Sequence, residues 1–187
     1  LHGWHGTPGA PLTEAASESA FRRALEHHGA GRLADAERDY REALRLDPDI
    51  LGARNNLGNV LQNLGRHAEA EACYREVGNG TTLLAQNAVY RLAEVRRARG
   101  DAAGALEAWL EYRHRFPDGV LAQEADLAIL ETRLRQRSPL AMRAADRFLE
   151  RWPTSEHSPE VHALRGVLRQ RAGDCGSALS DFDQALG

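Results

Sequence analysis

Apolar side chains recur along the chain at the three-to-four-residue spacing of amphipathic helices, and glycine or proline interrupts this pattern at short intervals. One such segment follows Gly29-Ala30-Gly31 and stops at Leu46-Asp47-Pro48. Its apolar positions fall on one helical face: Leu33, Ala36, Tyr40, Ala43 and Leu44. Because proline disfavours helical geometry in the preceding residue, the helix is predicted to end near Asp47. The pattern predicts short helices joined by tight turns.

The same pattern returns after 34 residues. Small or aromatic residues occupy the same four phases in both copies: Gly31, Ala36, Tyr40 and Ala43, then Gly65, Ala70, Tyr74 and Val77. A period of this size is typical of arrays of helical hairpins. Small residues allow paired helices to cross closely, so Gly58 and Ala70 are predicted at the crossing, with Tyr74 filling the space around them.

Later copies of the repeat are less regular. Gly100 and Gly173 are predicted turn residues, whereas Ser138-Pro139 takes the place of glycine in the fourth turn. Residues 1–12, rich in Gly and Pro, are predicted to form a linker, with Thr13 as the N-cap of the first helix. The five predicted hairpins occupy residues 13–50, 51–85, 86–121, 122–158 and 159–187.

These phases resemble the tetratricopeptide repeat (TPR). The resemblance rests on Asn56-Leu57-Gly58, Gly65 at the turn, Ala70, Tyr74, and Pro48 closing the preceding repeat. It implies a right-handed, all-α solenoid of about five helical hairpins and a role in protein–protein interaction.

The later repeats show a second resemblance. An aromatic residue precedes proline at Phe116-Pro117 and again at Trp152-Pro153, each followed by small or polar residues. This arrangement resembles the repeats of bacterial envelope TPR proteins, including outer-membrane-assembly lipoproteins and the Tol-Pal-associated coordinator. The resemblance implies a periplasmic or cell-envelope setting, with the cytoplasm as the alternative.

Composition narrows the choice of partner. The chain has 24 basic residues, all of them arginine, and 27 acidic residues, for a net charge of −3. The absence of lysine indicates a GC-rich, bacterial genome, and the interspersed charges do not predict a nucleic-acid partner. No segment approaches the roughly 18 apolar residues of a membrane span, so direct membrane insertion is not predicted. The chain starts at Leu1 rather than Met, which leaves an upstream signal or anchor open.

Reactive residues do not form a recognisable catalytic or metal-binding motif. His157, Glu160 and His162 lack the i, i+4 spacing of a helical metal pair. His2 and His5 lie on the predicted linker, without fixed further ligands. The sequence therefore predicts neither enzymatic activity nor a metal or cofactor. Cys73 and Cys175 fall in the second and last repeats, too far apart for a predicted disulfide.

The resemblance implies that the first helix of each hairpin lines a concave, peptide-binding face. Polar residues at the corresponding phases form the candidate site: Arg22, Asn55, Asn56, Asn59, Gln62, Arg91 and Arg97. Asn offers a donor and an acceptor to a peptide main chain, and Arg can bind a carboxylate through two hydrogen bonds. The alternative is that these side chains form an ordinary solvated face.

We therefore expect a non-catalytic scaffold or adaptor in a bacterial multiprotein assembly that binds an extended peptide or a partner helix. Self-association through an uncapped C-terminal helix is a further expectation, since solenoids normally need a polar terminal cap. Two alternatives remain open: a cytoplasmic regulatory adaptor fused to a signalling domain, and a substrate-selecting repeat region of a larger enzyme.

Overall fold

The structure is a computed structural model that describes residues 10–186, with side chains from Thr13 onward. Every regular element in these residues is an α-helix, ten in all. The described residues divide into two compact units between Asp101 and Ala102.

The first unit contains five helices. They are α1 (Ala10–Gly29), α2 (Leu33–Leu46), α3 (Leu51–Asn63), α4 (His67–Val77) and α5 (Leu83–Ala98). Each helix packs against the next along the chain, and α3 contacts α5 as well as α4. The helices α3 and α5, which are the first helices of the second and third hairpins, therefore lie side by side.

The second unit contains the other five helices of the described residues. They are α6 (Ala102–Arg115), α7 (Ala122–Arg135), α8 (Ala141–Arg151), α9 (Ser158–Arg171) and α10 (Cys175–Leu186). Again each helix packs against its successor. The all-α architecture of consecutive hairpins that the sequence predicts is confirmed in both units.

Large aromatic side chains fill the space where small residues let the helices cross. A Cβ atom on Gly58 would lie 2.7 Å from Tyr74 Cε1, and one on Gly166 would lie 2.6 Å from Phe182 Cε1. Both distances are shorter than real Cβ contacts, so a side chain at either glycine would displace the ring. The prediction that Tyr74 packs against Gly58 is confirmed, and the last hairpin repeats the arrangement.

Glycine makes four of the hairpin turns, and the fifth departs from this rule. Gly31, Gly65, Gly100 and Gly173 have φ between +72° and +83°, a region that only glycine enters freely. In the fourth hairpin Arg137 takes this place with φ +50°. Its N–H donates to the Leu134 carbonyl at 3.0 Å, the same bond that each glycine makes three residues back. The glycine-equivalent residue is thus Arg137, rather than the predicted Ser138-Pro139.

The start of the first helix also differs from the prediction. The helix α1 begins at Ala10, with Pro11 in its first turn, so Thr13 lies inside the helix and is not its N-cap. Proline is tolerated at this point because the first helical N–H groups have no partner within the helix. The predicted linker lies mostly outside the described residues, as do His2 and His5.

Buried carboxylates tie helices together in both units. In the second unit, Asp181 is 1% exposed and accepts hydrogen bonds from Arg165, at 2.5 Å from Nη2, and from Arg169, at 2.9 Å. His162 Nδ1 lies 3.2 Å from the same carboxylate. In the first unit, Asp39 of α2 is likewise buried and lies 2.9 Å from His27 Nδ1 of α1. These contacts link α9 to α10 and α1 to α2, and they leave His162 engaged in structure.

Candidate functional site

Three polar side chains follow one another along one side of α3. Asn56, Asn59 and Gln62 are spaced three residues apart, which places them on neighbouring turns of the same helical face. All three are half-buried, whereas the apolar residues Leu57, Val60 and Leu61 of this helix are in the core. The amphipathic pattern of α3 therefore orients its amide side chains toward the surface.

The hydroxyl of Tyr74 contacts two of these amides. Its hydroxyl lies 2.7 Å from Asn59 Oδ1 and 3.1 Å from Gln62 Oε1, while its ring is fully buried between α3 and α4. A phenol has a single O–H to donate, so the shorter contact to Asn59 is the better hydrogen bond. Neither amide NH2 group has an acceptor among the described residues, so both remain donors for a ligand.

Arg91 on α5 extends this group of polar side chains. Burial raises the pKa of Tyr74, and the positive charge of Arg91 partly opposes that rise. Burial outweighs the effect of the Arg91 charge, so the phenol stays protonated and can donate a hydrogen bond at neutral pH. Arg91 is exposed and has no ion-pair partner among the described residues. We call Asn56, Asn59, Gln62 and Arg91 the α3–α5 face.

The preceding hairpin supplies a second tyrosine in the same way. Burial raises the pKa of Tyr40 to about 12, and the Asn56 side chain partly opposes that rise. The Tyr40 hydroxyl lies 3.2 Å from His28 Nδ1. Each of the two regular repeats thus has one buried tyrosine whose hydroxyl interacts with an amide side chain of α3.

The other predicted site residues lie apart from this group. Asn55 is buried, with 6% exposure, and its Oδ1 atom has no hydrogen-bond partner among the described residues. Arg22 is exposed on α1. Arg97 is paired with Glu94 at 2.6 Å. The structure therefore brings together Asn56, Asn59, Gln62 and Arg91, and leaves Asn55, Arg22 and Arg97 outside the α3–α5 face.

Sequence reasoning missed the tyrosine hydroxyls. The repeat pattern predicts only a packing role for Tyr40 and Tyr74, because their phase in the repeat is a core phase, and both residues are fully buried. The signal that points to a second role is their polar end, because a buried phenol needs a hydrogen-bond partner. The amide side chains of Asn56, Asn59 and Gln62, spaced one turn apart on α3, are the candidate partners.

Other titratable groups do not form a second site of this kind. Among the residues that the structure describes, no cluster of three or more His, Cys, Asp or Glu side chains is placed to hold a metal ion. His157 lies 3.7 Å from Glu156. His27 Nδ1 lies 2.9 Å from Asp39 Oδ2, and neither atom forms a hydrogen bond among the described residues. Cys73 and Cys175 are free thiols.

Comparison with known families settles the nature of the repeat. One tetratricopeptide repeat model matches residues 21–83, and a second matches residues 87–119. Together they span more than half of the chain. The chain is a tetratricopeptide repeat protein. The α3–α5 face lies entirely within the two matched segments, so its four residues belong to recognised TPR helices.

Solved structures of other TPR proteins share the fold. The crystal structure of a MamA protein matches with a TM-score of 0.73 and 16% identity, covering 91% of this chain and 90% of that one. A TPR protein from Parabacteroides merdae matches with a TM-score of 0.73 and 18% identity over 92% of this chain and 66% of its own. YrrB, described as a TPR protein with an unusual peptide-binding site, matches with a TM-score of 0.64 and 18% identity, covering 89% and 83% of the two chains.

At these identities the likeness establishes the TPR fold and nothing finer. No curated protein matches the sequence. No helix in the described part of this TPR protein is both long and apolar enough to span a membrane.

Proposed function

We propose that this TPR protein is a non-catalytic interaction scaffold that binds an extended peptide or a partner helix on the α3–α5 face. The observation that carries the proposal is the contact of Asn59 and Gln62 with the Tyr74 hydroxyl, together with the electrostatic interaction between Tyr74 and the exposed Arg91. A TPR array offers protein-binding surface rather than an enclosed reaction site, which agrees with the absence of a recognisable catalytic motif in the sequence.

The chemistry of the face favours a peptide main chain as ligand. Two amide NH2 groups at neighbouring helical turns can donate to successive peptide carbonyls, and the Tyr74 O–H already holds the Asn59 oxygen at 2.7 Å. Because the phenol orients these side chains before binding, less conformational entropy is lost on complex formation. The exposed Arg91 guanidinium then selects for an acidic group on the ligand.

The cellular setting is a finer part of the same proposal. The aromatic-proline closures at Phe116-Pro117 and Trp152-Pro153 support a role in a bacterial multiprotein assembly at the cell envelope. Fractionation of the native organism with an antibody against this chain tests the setting. Recovery in the envelope fraction supports it, and recovery with cytoplasmic markers alone contradicts it.

Selection of ligands from a random dodecapeptide library tests the binding proposal. Selected peptides are measured against the wild type, against the triple variant Asn59→Ala, Gln62→Ala, Arg91→Ala, and against a control. The control, Arg41→Ala with Arg45→Ala, removes two exposed arginines of α2 that already pair with carboxylates. Circular dichroism confirms that all three proteins are folded.

We expect the triple variant to bind the selected peptides at least about tenfold more weakly, which corresponds to about 1.4 kcal/mol. The control variant keeps the wild-type affinity. Enrichment of peptides with an acidic residue supports the role of Arg91. Equal affinity of the triple variant and the wild type would show that the peptides bind elsewhere and would refute the proposed site.

A further inference from the structure

A cavity of about 460 Å³ lies in the second unit. It opens where the end of α7, the following turn, the start of α8 and the end of α9 approach one another. Its lining combines apolar and basic side chains: Leu134, Arg137, Ser138, Ala141, Leu168 and Arg171. We call this cavity the α7–α9 pocket. Its volume is within the range of small-molecule sites.

The backbone at this pocket adopts a disfavoured conformation. Arg137 occupies the left-handed turn position where the four equivalent turns of the described residues have glycine. A Cβ atom makes this conformation unfavourable, and such departures cluster at functional sites. Arg137, the residue in this unfavourable conformation, lines the cavity.

The two arginines of the pocket are also free of ion pairs. Elsewhere in the unit, Arg135 pairs with Glu131 at 3.0 Å and Arg113 pairs with Asp126 at 2.8 Å. The guanidinium groups of Arg137 and Arg171 make no ion pair or hydrogen bond within residues 10–186. Two uncompensated positive charges therefore border one cavity, and none of its lining residues is acidic.

The remaining lining residues determine what kind of anion fits. Leu134, Ala141 and Leu168 supply an apolar wall. Ser138 Oγ accepts a hydrogen bond from the Leu140 N–H at 3.2 Å, so its own O–H is left to donate. A bare inorganic anion would leave the apolar wall without a partner, and a neutral apolar molecule would leave the guanidinium groups without one. A ligand that has both an anionic group and an apolar part matches the whole lining.

We propose that the α7–α9 pocket binds a small amphipathic carboxylate, with the carboxylate held by Arg137 and Arg171 and a short apolar chain against Leu134, Ala141 and Leu168. Arginine suits this role because its planar fork of N–H groups matches a carboxylate in two parallel hydrogen bonds.

Isothermal titration of the full chain with octanoate tests the proposal. Two further titrations separate the contributions: inorganic phosphate offers the charge alone, and 1-octanol offers the apolar chain alone. We expect saturable binding of octanoate, at one equivalent per chain, and at least tenfold weaker binding of the other two. Failure of octanoate to saturate the chain would overturn the proposal, as would equal binding of phosphate or of octanol.

Three variants locate the octanoate. Arg137→Gly and Arg171→Gln each remove one lining guanidinium, and we expect each to weaken octanoate binding at least tenfold. The matched control is Arg135→Gln, which removes an arginine at the same end of α7 that is paired with Glu131 and does not line the pocket. Its affinity should equal that of the wild type. Octanoate affinity that does not change in the first two variants would overturn the assignment.

Arg137→Gly gives a second measurement that does not depend on binding. Glycine is the residue of the other four turns, so the Tm of the ligand-free variant should equal or exceed that of the wild type. Weaker octanoate binding together with an unchanged or higher Tm supports a binding role for Arg137. A lower Tm would show that its guanidinium serves the fold instead, and would also overturn the proposal.

Discussion

Tyr74 combines two roles in one side chain, because its ring packs against Gly58 while its hydroxyl anchors Asn59 and Gln62. The two roles separate in Tyr74→Phe, which keeps the ring. We expect the free energy of unfolding to fall by about 1 kcal/mol, the usual net contribution of one hydrogen bond. Truncation to Ala should cost about 3 to 5 kcal/mol, because it also leaves a cavity. Urea denaturation of both variants measures the difference, and equal losses would contradict the division.

Asp181 is the residue that most directly links stability to pH. Burial raises the pKa of its carboxyl, but hydrogen bonds from Arg165 and His162 outweigh burial, and the net shift is downward. Since the folded pKa is below that of the unfolded chain, about 3.9, this stabilisation is present above pH 4 and is lost as pH falls through the folded value.

Asp181→Asn tests this linkage. We expect the free energy of unfolding at pH 7 to fall by about 2 to 3 kcal/mol, because two arginines lose their buried partner. The gap between wild type and variant should narrow below about pH 4. The control is Asp183→Asn, an exposed residue on the same helix, which should change stability little. A gap that stays constant from pH 7 to pH 3 would contradict the linkage.

At the scale of the helical element, the second and the last hairpin each have a glycine packed against an aromatic ring. In α3, Gly58→Ala would place a Cβ atom 2.7 Å from the buried Tyr74 ring, and should cost about 1 to 3 kcal/mol through overpacking. The matched substitution in the same helix is Gly52→Ala, whose Cβ would meet Phe21 Cζ at an ordinary 3.4 Å. That change should be neutral or stabilising, since alanine favours helix. Thermal melts of the two variants check this, and equal destabilisation would count against the crossing argument.

The elements also show which features can be predicted from sequence. Gly65, Ala70 and Tyr74 recur at fixed phases because packing within each hairpin demands it, so the repeat and its turns are visible in one sequence. Arg137 breaks the glycine rule, and only backbone geometry identifies it as the left-handed residue. The sequence also does not reveal where α1 starts. The helix begins at Ala10, whereas Thr13, the predicted N-cap, lies inside it.

The candidate site was less accessible to sequence reasoning than the fold. Helical spacing placed Asn56, Asn59 and Gln62 on one side of a helix, but it could not exclude Asn55, which is buried. Helical spacing also does not predict the ion pair between Arg97 and Glu94, because the i, i+3 contact is only one of the contacts that these side chains could make. The tyrosines come from other helices, and their 34-residue period assigns the rings to the core without showing which side chains of α3 the hydroxyls contact.

At the scale of the whole molecule, exposed apolar residues on the last helix bear on oligomeric state. Leu179 is 65% exposed and Leu186 is 88% exposed on α10. We propose that this surface supports self-association, as the sequence suggested. Light scattering coupled to size exclusion should then show a mass that rises with concentration for the wild type and stays monomeric for Leu179→Glu with Leu186→Glu. The same mass for both proteins at every concentration would rule out this use of α10.

The central claim is that the α3–α5 face is where this TPR protein receives its peptide ligand, and nuclear magnetic resonance tests it most directly. A peptide selected against the full chain is titrated while the side-chain amide signals of Asn59 and Gln62 and the Nε–H signal of Arg91 are followed. The account predicts that these three signals shift and saturate together, in proportion to bound peptide. Saturating shifts confined to other residues, with these three unchanged, would contradict it.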